Sequence, residues 1–253
     1  MMSLRGRLAA LGGLMFAVLA ATLAPAGAEP RPPVAVVELF TSQGCSSSPP
    51  ADALLAELAG DSTVVAISLP VTYWDYLGWT DTRASQANTS RQFSYAARRG
   101  DRAVYTPQMV VNGRAPVVGS DSEALREVIQ QQVDDGLGLR LSVEIRLADD
   151  MFEIEVGALP GGQRATVWIG AVEPSVTVSV LRGENSGRPL TYTNVVRVLQ
   201  PIGVWRGDAM SFELPAERID RRAGTSAVVI VQSDVDGHPG EILGAALLRP
   251  AEG

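Results

Sequence analysis

Lysine is absent from these 253 residues, and all 21 basic residues are arginine. That excludes Schiff-base lysines, the P-loop lysine and lysine-linked pyridoxal or lipoyl groups. Histidine occurs once, at His238. A three-histidine zinc site is therefore excluded, and a serine-hydrolase triad would have to use that residue. Cysteine also occurs once, at Cys45. No intrachain disulfide, cysteine-based structural zinc site or cysteine-ligated iron–sulfur cluster can form. Positive charge is in short supply: 28 acidic residues leave a formal net charge of −7. Phosphate neutralisation needs a basic patch, so nucleic acid is not an expected partner.

What is present is a globular composition, 46% hydrophobic and 19% charged. The length suits one large domain or two small ones. Arg5 and Arg7, the apolar run Leu8 to Ala24 and the triplet Ala26-Gly27-Ala28 form a secretory-signal pattern, with cleavage expected after Ala28. The run is short for a membrane span, and no later segment is apolar enough for one. The expected location is periplasmic or secreted, with no membrane association after cleavage. Free thiols are unusual there, which singles out Cys45.

Residues 29–136 read as strand, helix, strand, helix, strand, strand, helix. Val34 to Phe40 and Thr63 to Leu69 are apolar strands. Pro49 and Pro50 open a helix that stops at Gly60, since proline is tolerated in a first turn. An aromatic loop runs from Tyr73 to Trp79, and Asp81 to Arg99 reads as mostly helical up to Gly100. Asn112-Gly113 is a hairpin turn between Gln108–Val111 and Pro116–Val118. Ser120 and Glu123 suggest a capping box for a helix to about Asp134.

Residues 137–253 change character. Short alternating or apolar runs are expected as strands at Leu139–Leu147, Met151–Val156, Ala165–Ile169, Ser175–Leu181, Asn194–Leu199, Ser211–Leu214, Ala227–Val231 and Ile242–Leu248. They predict an antiparallel β-sandwich or meander. This half is either a separate domain or an extension fused to the first.

Cys45 falls between a strand and the helix opened by Pro49. A helix N-terminus carries partial positive charge, which stabilises a thiolate, and this turn is expected to be exposed and electropositive. Thr106-Pro107 directly precedes the third strand. Together with the element order, this layout resembles the thioredoxin fold, in which a cis proline before the third strand lies against the active-site cysteine.

The stretch from Val37 to Asp52, VELFTSQGCSSSPPAD, resembles the secreted thioredoxin-like family called domain of unknown function 1223. Tyr73 to Trp79 (YWDYLGW), Tyr105 to Gly113 (YTPQMVVNG), Arg182-Gly183-Glu184-Asn185 and Ile242 to Ala246 are similar to it as well. The resemblance implies an α/β protein: a thioredoxin-like domain followed by a mostly antiparallel, β-sandwich-like C-terminal extension. It supplies no established substrate. Two positions depart from the family pattern. Ser48 stands where a second cysteine is usual, and Pro70 and Thr72 stand where histidine and aspartate are usual. Without a second thiol, a mixed disulfide on Cys45 needs an outside thiol to resolve it.

The expected site therefore has Cys45 as nucleophile, with Ser48 tuning the thiolate and Thr106 and Pro107 shaping the groove. Tyr73, Trp74, Asp75, Trp79 and Tyr105 are the candidate substrate platform. The expected activity is monothiol thiol–disulfide exchange with a thiol-containing protein or small thiol, with no cofactor and no metal. A redox-inactive binding module is the alternative, and copper held by Cys45 and Met109 a thin third reading. The bland readings are a cap or relic for Ser48, a core edge for the aromatics and turn-capping for Asp75. A plain hairpin loop is the reading for Asp234 to Gly240, and Arg182 with Glu184 is a candidate ion pair.

Overall fold

Two strands, β1 (Ala35–Thr41) and β2 (Val64–Pro70), are buried along their whole length. That is why their sequences are near-continuous apolar runs: a strand covered on both faces has no solvent side to make polar. The computed structural model describes residues 32–161, 163–219 and 224–250. The signal-like segment 1–28 lies outside them. Among the described residues no helix is long and apolar enough to cross a membrane.

β1 pairs in parallel with β2 and antiparallel with β3 (Gln108–Val111), which pairs with β4 (Ala115–Val118). Helix α1 (Pro49–Leu58) and helix α3 (Ser122–Asp134) cover one face, with Leu54, Leu55 and Leu125 packed on Val37, Leu39, Ala66, Met109 and Val111. Helix α2 (Gln86–Arg99) lies on the other, with Tyr95 among Val36, Phe40, Ile67 and Val110. The expected element order is present. Two boundaries differ. α2 starts at Gln86 because Asp81 turns its carboxylate onto the N–H groups of Gln43, Arg83 and Ala84. Ser85 then caps the helix and Gly100, at φ 74°, ends it. α3 is capped by Asp121, which accepts from the Ala124 N–H, and not by Ser120. Both Asn112 (φ 49°) and Gly113 (φ 67°) take the positive φ that a primed hairpin turn requires.

The second half continues the same sheet. Strands β7 (Ala165–Ser179), β8 (Pro189–Trp205), β10 (Ser226–Val235) and β11 (His238–Leu248) give the order β11-β10-β7-β8-β2-β1-β3-β4. β8 joins β2 in parallel at Ser68 and Val195. Three further strands, β5 (Val143–Ala148), β6 (Met151–Val156) and β9 (Met210–Pro215), form a separate antiparallel sheet. It packs over β7, β10 and β11 through Phe152, Ile154, Val167, Ile169, Val229 and Trp205. The fold is thus mixed α/β and sheet-dominated, a large mixed sheet plus a smaller antiparallel one. The large sheet also curls. Asn112 accepts the Ile242 N–H at 2.9 Å, and Arg114 pairs with Glu241, so β11 meets the β3–β4 turn.

The expected runs Ala165–Ile169 and Ser175–Leu181 are one 15-residue strand, and Asn194–Leu199 is the middle of a 17-residue one. Odd-numbered residues from Ala165 to Ala171 face the small sheet and Val172 packs on the α2 side, so the buried face changes part-way along and the alternation reads as two short strands; the bulge residue, Arg197, lies in β8. This bent hairpin carries its tip, residues 180–188, across the end of β1 and β2 where Cys45 lies.

Candidate functional site

Cys45 sits in the tight turn between β1 and α1. Its N–H donates to the Ser42 carbonyl at 3.1 Å. Gly44 is required there, because a Cβ would come within 2.9 Å of Trp74 Cβ. The thiol donates weakly to the Thr106 carbonyl at 3.6 Å, and the Thr106–Pro107 peptide is cis. Gly119 lets Pro107 close in: a Cβ on it would meet Pro107 at 2.9 Å and Ala51 at 3.1 Å. Three of the four expected site residues therefore come together, with Cys45 at the meeting point of β1, α1 and the turn before β3.

The expected exposed setting is not found. Cys45 is only 4% exposed. The reason is the hairpin tip. Asn185 is fully buried and donates from Nδ2 to the carbonyls of Gln43 and Cys45, both at 3.0 Å. Glu184 accepts the Ser46 N–H at 3.2 Å; this, and not an ion pair with Arg182, is its contact. The supply of free donors at the helix start is also thin. Pro49 and Pro50 have no N–H, and the Ala51 and Asp52 N–H groups bond the Ser48 carbonyl.

Ser48 is buried, at 1% exposure, and takes the N-cap position without a side-chain capping bond. Its hydroxyl bonds neither the thiol nor any other group. The aromatic loop is anchored more than open. Trp74 Nε1 donates to Thr106 Oγ1 at 2.7 Å, and Trp79 Nε1 to Gln43 Oε1 at 2.8 Å. Tyr73 OH donates to Gln92 at 3.2 Å, and burial pushes its phenol up to about 12. Asp75 accepts the Asp81 N–H at 3.0 Å, which is the turn-capping role. Tyr76, 78% exposed, stacks on Trp74 at 6.5 Å and leaves one aromatic face open beside the turn; Tyr105 is also exposed. Thr72, one of the two departures, bonds Thr89 of α2 at 3.0 Å, and Pro70 ends β2. Met109 is fully buried in the α1–α3 core, and the 234–240 segment is a β10–β11 hairpin with Val235 opposite His238. Among the described residues no cluster of three or more His, Cys, Asp or Glu side chains is placed to hold a metal.

Sequence reasoning missed the groups beneath the turn. Asp52 is 6% exposed with neither oxygen hydrogen-bonded. Burial pushes its carboxyl well above the usual carboxylate range; a nearby Thr41 hydroxyl pulls the other way and the Asp81 charge adds to the rise. Burial raises Asp81 too, against the three N–H groups it accepts. Tyr192 of β8 is raised by burial, then by the charges of Asp52, Asp81 and Cys45. The available signal was spacing: Asp52 lies one turn past Ser48, between the buried Ala51 and Leu54.

A family model described as "Protein of unknown function (DUF1223)" matches residues 36–232. The chain belongs to that family. Protein AGR_C_4864 from Agrobacterium tumefaciens, known from a crystal structure, is 36% identical, with a TM-score of 0.80 over 88% of this chain and 97% of its own. HBP35 of Porphyromonas gingivalis shares the fold at a TM-score of 0.60 with 10% identity, over 88% of this chain and 78% of its own. No curated protein matches.

Proposed function

We propose that this DUF1223 member is an exported, thioredoxin-like protein that performs monothiol thiol–disulfide exchange at Cys45. One observation carries the reading: the single thiol of the chain lies 3.6 Å from the Thr106 carbonyl, beside Pro107, at the junction of β1, α1 and β3. A nucleophilic sulfur against a backbone edge is placed to meet an extended chain bearing a disulfide. The Cys45 thiolate attacks one sulfur of that disulfide and the other leaves as thiolate. The Cys45 mixed disulfide then forms on a protein or small-molecule partner. With Ser48 in the second position, an external thiol releases it. The open face of Trp74 and Tyr76 and the exposed Tyr105 are the partner-facing surface.

A chromogenic aromatic disulfide tests this. The native protein should form one mixed disulfide, visible by intact mass and reversed by added thiol, and Cys45→Ala should form none. A thiol that reacts only after unfolding defeats the reading. That outcome favours a redox-inactive binding module, for which one feature speaks. A cavity of about 460 Å³, remote from Cys45, lies between α2 and strands β7, β8 and β10, with Arg91, Trp168, Leu199 and Gln232 in its walls.

A further inference from the structure

The cavity of about 460 Å³ beside α2 falls in the size range of small-molecule sites, about 300–1,000 Å³. A run of short side chains creates it. The curl of the large sheet sets β7, β8 and β10 opposite α2, and Arg91 and Tyr95 reach across to Gln232 of β10. Along the same helix Ala87, Ser90 and Ser94 recur at i, i+3 and i+7, and they are too short to close the gap. Trp168 of β7 and Leu199 of β8 are left half-buried as its apolar walls.

Two donors in these walls have no acceptor. Three of the four tryptophans give their ring N–H away: Trp74 to Thr106, Trp79 to Gln43 and Trp205 to the Gly157 carbonyl. Trp168 finds no acceptor among the described residues, and its Nε1 is not enclosed by protein. Arg91 is the second. Its Nε donates to Glu38 at 2.6 Å, and its Nη2 to Tyr95 OH and Gln232 Oε1, both at 2.8 Å. These bonds hold the guanidinium in place. Its Nη1 has no acceptor among the described residues, although the side chain is only 9% exposed. Glu38 balances the Arg91 charge, so the net positive charge comes from Arg197 of β8, which is exposed in the wall and forms no ion pair among the described residues. The lining carboxylate, Asp234, is engaged by the Gly237 N–H at 2.9 Å.

We propose that this cavity binds a small aromatic carboxylate. Indole and guanidinium N–H groups donate and accept nothing, so the matching ligand brings acceptors. A carboxylate offers two oxygens and the charge opposite to Arg197. Its oxygens take the open donors, Arg91 Nη1 and Trp168 Nε1, and its flat apolar body covers Leu199 and the indole. The site stands apart from thiol chemistry: Cys45 is not in its lining, and the inference holds whether or not the thiol exchanges.

The test is isothermal titration calorimetry of the purified protein with 2-naphthoate, and with 2-naphthylmethanol as the same body without the charge. Naphthoate should bind at a single site, and the alcohol about tenfold more weakly or less. Trp168→Phe keeps an aromatic face and removes the N–H, so it should weaken naphthoate about tenfold. Arg197→Ala removes an exposed charge, so it should weaken naphthoate up to about fivefold and flatten the salt dependence. Ser94→Leu fills the gap and should abolish binding, with thermal unfolding to show that the variant folds; Ser90→Leu serves where it does not. Arg91 is left intact because its pairing with Glu38 supports the fold. Three results overturn the inference: no binding of naphthoate at millimolar concentration, equal affinity for the alcohol, or an affinity that the filling, Trp168 and Arg197 variants leave unchanged.

Discussion

Glu38 in β1 and Asp52 in α1 are both buried carboxyls, on opposite faces of the same sheet, and their surroundings are opposite. Glu38, on the α2 face of β1, is fully buried and fully engaged. Arg91 Nε donates to it at 2.6 Å and Tyr95 OH at 2.5 Å, while Gln232 of β10 bonds both Arg91 and Tyr95. That network ties α2 to strands from both halves of the chain. Asp52, on the α1 face, has no counter-charge and only the nearby Thr41 hydroxyl to favour its ionised form. Burial of a charge is tolerated structurally when it is paired and hydrogen-bonded. The paired acid is therefore part of the scaffold. The orphan acid contributes nothing comparable to stability.

The largest effect should come from breaking the paired side. Arg91→Met leaves Glu38 buried with its counter-charge removed, and removal of one partner of such a pair costs about 3–5 kcal/mol. Urea unfolding should show a lower midpoint with unchanged slope. A loss below about 1 kcal/mol would mean that the pair behaves like a surface pair, and the contrast with Asp52 would lose its structural half.

Next in size is the seal over the α1 side. Asn185→Ala removes the donors to two buried carbonyls, Gln43 and Cys45. The Cys45 carbonyl keeps the Ser48 N–H, so the Gln43 carbonyl is the acceptor left unpaired, at a cost of about 1–3 kcal/mol. The same change loosens the hairpin tip, so Cys45 should alkylate faster. An unchanged alkylation rate would show that the tip does not govern access.

These two carboxyls also mark how far the sequence could be read. The order of elements over the first half was legible because each signal is local: the apolar runs of β1 and β2, Pro49-Pro50, Asn112-Gly113 and Gly100. Placing Cys45 beside Thr106-Pro107 drew on that order. The tip of the β7–β8 hairpin over Cys45 was not legible. Asn185 and Gln43 are 142 positions apart in the chain, and the change of buried face between Ala171 and Val172 disguises the length of the strand that leads to the tip. The burial of Cys45 was missed for that reason. Asp52 was invisible as an orphan because one carboxylate in a helix reads as first-turn charge complementing the dipole. Only the strands beneath α1 reveal that it points inward.

The smallest effect is the most discriminating, since it reads Asp52 apart from any chemistry at Cys45. Its carboxyl in the folded protein ionises above the unfolded value of about 3.9. As pH rises past that value the unfolded chain releases its proton first, so the folded state binds more protons and stability falls with pH. The fall continues until Asp52 itself ionises. Asp52→Asn removes this contribution. Asp81, raised in the same direction, remains, so the slope should shrink and not vanish. Native protein and variant should differ little near pH 4, where both side chains are neutral. By pH 8 the variant should be the more stable by about 1 kcal/mol, the order of the desolvation penalty of an unpaired group. Thermal or urea unfolding across that range reads it. Parallel curves would mean that Asp52 ionises alike in both states, which is the behaviour of a solvated carboxyl and would erase the difference from Glu38 on which the contrast stands.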